Sequence, residues 1–191
     1  MNRIGLQVEI PARQVNLVNY DITFKLVLFG DGAVGKTALT QRYLTGLFKD
    51  DTKITIGVEF HINDLEIANK RVKLQIWDFG GEERFRFLLP SYCKGANGGI
   101  FMFDVTNTNS LHHVDDWMDV LRKATGNIPI MMVGTKVDLA HNRAVNAKEA
   151  MALAKSHKFA GYAEVSAKTG VNVESVFETI AEIMIKRMAS K

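Results

Sequence analysis

The sequence predicts a three-layer α/β fold, a mostly parallel sheet of six strands with one antiparallel member, flanked by about five helices. Two observations carry this prediction. Short apolar runs alternate with amphipathic segments along most of the chain, which is the pattern of repeated strand-to-helix units. The later runs, Gly99-Ile100-Phe101-Met102-Phe103 and Ile130-Met131-Met132-Val133, show no polar alternation, as strands covered on both faces do not. The 191 residues suit one domain with a modest extension, at about 150 residues per domain. With 47% hydrophobic and 24% charged residues and 3 Pro, disordered, collagenous and membrane classes are excluded. The 24 Lys+Arg against 21 Asp+Glu leave +3 with no basic cluster, which argues against a nucleic-acid partner. The single cysteine, Cys93, has no internal partner and no Cys/His spacing that would build a zinc site, so a reducing, cytoplasmic compartment is expected. No run approaches the roughly 18 apolar residues of a spanning helix, and Asn2 stands where myristoylation needs Gly.

In chain order, residues 1–22 form an N-terminal extension. Ile4, Leu6, Val8 and Ile10 alternate with Gly5, Gln7 and Glu9, a half-buried strand that Pro11 ends, with Val15 and Leu17 continuing it beyond the turn. It is expected as an extra edge strand or hairpin packed on the domain, the alternative being a partner-binding or regulatory arm. Residues 23–191 form the main domain. Phe24-Lys25-Leu26-Val27-Leu28-Phe29 reads as its first strand, and about 36–45 as its first helix. Strands over about 58–67 and 71–78 are separated by Ala68-Asn69-Lys70, which suits a hairpin and is too short for a parallel crossover. Tyr162-Ala163-Glu164-Val165 is the last strand. The final helix is the clearest, since Val173, Val176, Phe177, Ile180 and Met184 recur at helical spacing while Glu174, Glu178, Glu182 and Lys186 lie elsewhere on the wheel.

Between the first strand and its helix stands Gly30-Asp31-Gly32-Ala33-Val34-Gly35-Lys36-Thr37, which fits GxxxxGK[ST] in the strand-loop-helix setting that the motif needs. Its glycines let the backbone curl so that N–H groups, through to Ala38 at the helix start, point at phosphate oxygens, and the helix dipole adds to them. Lys36 supplies a compact cation for the β- and γ-phosphates, and Thr37 a hydroxyl ligand for Mg²⁺. A nucleoside triphosphate is the expected ligand. The loop does not name the base, and kinases, ATPases and GTPases all remain open at this point.

Three further segments narrow the choice. Trp77-Asp78-Phe79-Gly80-Gly81-Glu82-Glu83 resembles WDxxGxE, Thr135-Lys136-Val137-Asp138 resembles [NT]KxD, and Ser166-Ala167-Lys168 resembles SAK. Each follows a strand, where α/β ligands bind. In this order, they make residues 24–189 similar to the Ras superfamily of small GTPases and their three-layer fold. Ile56-Gly57-Val58-Glu59-Phe60, Lys73-Leu74-Gln75-Ile76-Trp77-Asp78, Glu83-Arg84-Phe85-Arg86 and Ser91-Tyr92-Cys93-Lys94-Gly95-Ala96 most resemble the Rab branch.

The resemblance implies a monomeric, GTP-hydrolysing switch that binds GTP or GDP with Mg²⁺. It also implies effectors, GAPs and exchange factors that meet two switch regions, and work in vesicle trafficking. It places Asp138 on guanine N1 and N2, Lys136 along the base, the Ala167 N–H on guanine O6 between Ser166 and Lys168, and Phe48 against the base. Thr55 closes the first switch on Mg²⁺ and the γ-phosphate, Asp78 holds Mg²⁺ through water, and the Gly81 N–H meets the γ-phosphate. Thr135 replaces the commoner Asn and keeps a hydroxyl to tie the loop.

Several positions depart from the family pattern. Glu82 replaces the Gln that orients the attacking water; an ionised carboxylate accepts but cannot donate, and is unfavourable beside a γ-phosphate. Slow intrinsic hydrolysis is therefore expected, with a hydrolysis-deficient, nucleotide-stabilised scaffold as the alternative. Phe79 and Gly80 replace Thr-Ala, putting a bulky ring and a flexible joint at the second switch. Thr52 replaces a covering Tyr, while Gly32 leaves room for an arginine finger. The C-terminal Lys186-Arg187-Met188-Ala189-Ser190-Lys191 has no cysteine to prenylate, so no lipid anchor is evident. Either a tail is missing or the chain resembles a non-prenylated, archaeal-type Rab, reaching membranes only through partners. His61, His112, His113, His141 and His157 form no ligand set and are expected in surface or cap roles, and Lys94 beside Cys93 is expected to lower its pKa.

Overall fold

The computed structural model describes residues 19–50, 54–82 and 87–190. β1 (Ile22–Phe29) runs into α1 (Lys36–Thr45), and β2 (Val58–Ile67) and β3 (Lys70–Phe79) follow as a hairpin. Then come α2 (Leu89–Cys93), β4 (Gly98–Asp104), α3 (Thr108–His112), α4 (Val114–Thr125) and β5 (Ile130–Thr135). A 3₁₀ turn (Val137–Asn142), α5 (Ala147–Ser156), β6 (Gly161–Glu164) and α6 (Val173–Ala189) complete the order. The described residues thus hold six α-helices against the expected five or so, because a separate five-residue turn, α3, precedes α4.

The strand order is β2-β3-β1-β4-β5-β6. β1 pairs in parallel with both β3 and β4, β5 continues in parallel to β6, and only β2 is antiparallel. From β1 the chain winds first to one side and then to the other, so the crevice at its carboxyl end is a topological switch point, where open α/β sheets bind ligands. The hairpin turns on Ala68 and Asn69, both left-handed at φ 51° and 58°, as two-residue turns matched to strand twist require. Lys70 is therefore already in β3, one residue earlier than the sequence suggests.

Alternation along β1 divides the interior into two layers. Leu26 and Leu28 face Phe177, Ile180 and Met184 of α6, while Val27 and Phe29 face Phe101, Trp117 and Leu121. Every residue of β4 and β5 is buried, as their uninterrupted apolar runs predict, whereas β2 leaves alternate residues exposed. A Cβ built on Gly98 would lie 2.6 Å from the Met184 sulfur, so a glycine is what lets α6 pack directly on β4.

Candidate functional site

The phosphate-binding loop leaves β1 at Gly30, where a Cβ would sit 2.1 Å from the Met102 carbonyl oxygen of β4. Gly35, left-handed at φ 94°, turns the loop into α1. Inside that curl Lys36 is buried, its Nζ donating to the carbonyls of Gly30 (2.8 Å) and Asp31 (2.7 Å). Burial pushes its pKa down to about 8, against the pull of the Asp78 and Asp31 carboxylates. A lysine folded over its own loop is already placed where an anion would enter.

Three oxygen-bearing side chains from separate segments meet beside it. Thr37 Oγ1 donates to Asp78 Oδ2 (2.5 Å) and lies 2.6 Å from Thr55 Oγ1. Asp78 is fully buried, its pKa is raised to about 6 by that burial, and its Oδ1 has no hydrogen-bond partner. An orphaned carboxylate oxygen beside two hydroxyls is a hard donor set of the kind Mg²⁺ takes. These residues therefore fit the cation. Among the described residues no group of three or more His, Cys, Asp or Glu could hold a metal.

The glycines after β3 bring the Thr55 segment and the phosphate-binding loop close together. Gly80 N–H donates to the Gly57 carbonyl (2.8 Å), and a Cβ there would lie 2.5 Å from the Thr55 carbonyl oxygen. A Cβ on Gly81 would lie 2.2 Å from the Asp31 carbonyl carbon, whereas one on Gly32 finds ordinary space, 3.9 Å from Gly81. Gly80, expected as a flexible joint, is thus a point of close packing. Phe79 is buried beneath it, edge-on to Tyr92 with ring centres 6.3 Å apart.

At the opposite end of the crevice, Asp138 Oδ1 accepts from Ser166 Oγ (2.6 Å), and that oxygen accepts from the Thr169 N–H (3.1 Å). The Thr135 hydroxyl lies 2.6 Å from the Val34 carbonyl oxygen and 3.0 Å from that of Phe103, joining this segment to the phosphate-binding loop. Lys136 is left-handed at φ 62°, its ammonium paired with Asp104 at 2.8 Å. A cavity of about 460 Å³ runs between the two ends. Gly32 through Ala38, Phe48, Thr55, Gly81, Thr135, Lys136, Asp138, Ala167 and Lys168 line it; Gly30, Asp31, Ser166 and Asp78 support its walls from behind, and Glu82 is half-buried off the lining. Phe79 also reaches it, which sequence reasoning did not anticipate.

Asp31 makes a contact that the sequence did not suggest, and the expectation for Cys93 is corrected. Asp31 sends its carboxylate away from the cavity to α4, where it accepts from Trp117 Nε1 (2.8 Å) and meets His113 Nδ1 (2.6 Å). His113, half-exposed between α3 and α4, keeps the surface and cap role expected of it and adds this contact to Asp31; the i, i+4 spacing of His113 and Trp117 was the available signal for the contact. Cys93 is fully buried and its thiol is pushed up to about 12; the nearby cation is Lys25, not Lys94. Thr52, residues 83–86 and residues 4–10, where an N-terminal strand was expected, lie outside the described residues. No helix of the described residues is long and apolar enough to cross a membrane.

Comparison with known proteins agrees with this geometry. The sequence model of the Ras family matches residues 25–186. Ras-related protein Rab-1 of Theileria parva is 41% identical over 167 residues, covering 86% of this chain and 76% of the relative. Ras-related protein Rab-19 of Xenopus laevis is 39% identical over 169 residues, 88% of this chain and 79% of the relative. GTP-binding protein ypt3 of Schizosaccharomyces pombe is 43% identical over 162 residues, 84% of this chain and 75% of the relative. With an apolar sheet ending in one phosphate- and cation-suited crevice, and with relatives of this likeness along most of its length, the chain belongs to the Ras family of small GTPases, among its Rab-like members.

Proposed function

We infer that the chain is a guanine-nucleotide switch with slow intrinsic GTP hydrolysis. The observation that carries this is the convergence of Lys36, Thr37, Thr55 and Asp78 at one end of a cavity whose other end holds Asp138. Lys36 and the loop N–H groups bind the β- and γ-phosphates. Thr37, Thr55 and Asp78 would hold Mg²⁺, which neutralises phosphate charge when bound. Asp138, aimed by Ser166, accepts from a base that offers paired donors, which guanine does and adenine does not.

Thr55 and Gly81 approach the same end from different segments, so presence or loss of a γ-phosphate changes what holds each of them. Beside them lies an aromatic strip in which Phe60 packs edge-on to Trp77 (5.2 Å) and Trp77 leans on Tyr92 (6.0 Å). Phe60 and the neighbouring Ile56 are exposed, and this strip is where protein partners would read the nucleotide state.

Binding titrations test the base and phosphate assignments: GDP binds and ADP does not, and Asp138→Ala loses at least about a hundredfold in GDP affinity. Equal binding of ADP would overturn the assignment. Glu82 governs turnover. A carboxylate accepts a proton from water but, ionised, donates nothing to charge developing on the phosphate. Single-turnover hydrolysis is expected to be faster in Glu82→Gln by about tenfold or more; an equal or slower rate removes the argument. The same residue favours a second reading, a nucleotide-stabilised scaffold that acts by contact alone. In that case phosphate release stays negligible in the unaltered chain with candidate GAPs added, although Gly32 leaves space for an inserted arginine.

A further inference from the structure

Asp31 carries the one polar side chain between Gly30 and Gly35, so any hydrogen bond that this stretch makes through its own side chains runs through that carboxylate. The carboxylate does not line the cavity. The backbone of the same residue lies at its edge: the Asp31 carbonyl accepts from Lys36 Nζ (2.7 Å), and a Cβ on Gly81 would lie 2.2 Å from the Asp31 carbonyl carbon. Where Asp31 stands therefore bears on both Lys36 and Gly81, the groups proposed to meet the outer phosphates.

The corner between α3 and α4 holds both oxygens of the carboxylate. Trp117 Nε1 donates to Oδ1 (2.8 Å), and His113 Nδ1 lies 2.6 Å from Oδ2. An ionised carboxylate only accepts, so the proton of the second contact sits on Nδ1. Both donors are themselves fixed. Trp117 is fully buried, its ring 6.3 Å from that of Phe29 at the end of β1. His113 ends α3 and begins α4: its N–H donates to the Asn109 carbonyl (3.2 Å), and its carbonyl accepts from the Trp117 N–H (3.2 Å). α3 in turn follows β4, whose last residue, Asp104, pairs with Lys136 at the other end of the cavity (2.8 Å). Residues 104–117 thus reach the base end through Asp104 and the phosphate end through Asp31.

We propose that His113 and Trp117 are positioning residues for the phosphate-binding loop: by holding both oxygens of Asp31 they set where Lys36 and Gly81 stand, and so slow release of the nucleotide's outer phosphates. Neither residue lines the cavity, and the effect reaches the ligand through Asp31. Hydrogen bonds to a carboxylate are about twice as strong as neutral ones, which suits them to hold a loop of small residues against a helix. The proposal rests on the nucleotide reading of the cavity.

Release of fluorescent GDP from the loaded full chain with Mg²⁺ present, together with competition by GMP, tests this. Asp31→Ala, which loses both contacts, speeds GDP release about tenfold or more, and His113→Ala and Trp117→Phe each speed it about threefold to fivefold. His113 is half-exposed, so its truncation leaves the core intact and keeps the test decisive even if Trp117→Phe folds poorly. Asp31→Asn, whose amide oxygen still accepts, recovers part of the loss. His113→Ala made in the Asp31→Ala background adds nothing. GMP has no β- or γ-phosphate for Lys36 and Gly81 to hold, so its affinity is the same in every variant. GMP affinity that falls in step with GDP affinity overturns the proposal, since the variants then damage the fold and not the placement of the loop. So does a His113→Ala effect that persists undiminished without the Asp31 carboxylate. GDP binding with unmoved release in the single variants overturns this proposal alone, whereas an unaltered chain that binds no GDP overturns the nucleotide reading and the proposal together.

Discussion

A methyl group measures how closely the site is closed. At Gly80, space is limited by the Thr55 carbonyl oxygen, 2.5 Å from a Cβ, and not by backbone conformation. Gly80→Ala therefore pushes the Thr55 segment outward while leaving the loop around Lys36 alone. Overpacking of this kind costs about 1–3 kcal/mol, so the preference for GTP over GDP should fall by about fivefold or more with GDP affinity nearly unchanged. Competition of GDP and a non-hydrolysable GTP analogue against fluorescent GDP reads the ratio directly; an unchanged ratio would mean that Thr55 is not seated against Gly80 in the GTP state. The places of Lys36, Thr37 and Asp138 along one cavity were legible in the sequence, the first two from the GxxxxGK[ST] spacing and the third from the resemblance to [NT]KxD. The role of Gly80 was not, because the atom it avoids belongs to a segment far off in the chain. The same holds for Asp31, which meets Trp117 across 86 positions.

Among the elements, β6 is the shortest strand and borrows stability from side chains. Arg143 grips Glu164 with two hydrogen bonds of 2.9 and 2.7 Å, and Tyr162 donates to the same carboxylate at 2.7 Å. The bonds from Arg143 hold the Glu164 carboxyl below its ordinary value of 4.5, with burial opposing and Tyr162 assisting. Because the folded pKa is depressed, the stabilisation is present above the unfolded value and lost as pH falls through the folded one. Glu164→Gln should therefore cost about 0.5–1 kcal/mol near neutral pH, after allowance for solvent screening, and the difference from the unaltered chain should close in acid. Urea titrations at pH 7 and pH 3.5 check this, and a constant difference would show packing to be responsible instead. The strand itself was legible from its apolar run, and the separation of α3 from α4 was not. His113 ends one helix and begins the next, yet nothing in the local pattern marks a break there.

For the molecule as a whole, the alternation of apolar runs and helices was enough to predict the layered sheet, since burial on both faces leaves its mark on every residue of β4 and β5. Sheet order was not legible in the same way, because periodicity says which residues are covered and not which strands are neighbours. The order places the carboxyl ends of β1, β3, β4, β5 and β6 together at one cavity: the loop after Gly30, Phe79, Thr135 and Val165 line it, while Asp78 and Asp104 hold the lining residues Thr37 and Lys136 from behind. A molecule lodged there bridges the phosphate-binding loop and α1, the segments at 48–55 and 79–81, and the loops after β5 and β6, and finds no such site when the chain is unfolded. By mass action, free GDP at about a thousand times its dissociation constant should add about 4 kcal/mol to the unfolding free energy. That corresponds to roughly 8–16 °C in melting temperature for a chain of this size, readable by calorimetry with and without excess GDP and Mg²⁺. The ligand then acts as a keystone, and nucleotide supply in the surrounding medium sets how long the protein survives heat and proteolysis.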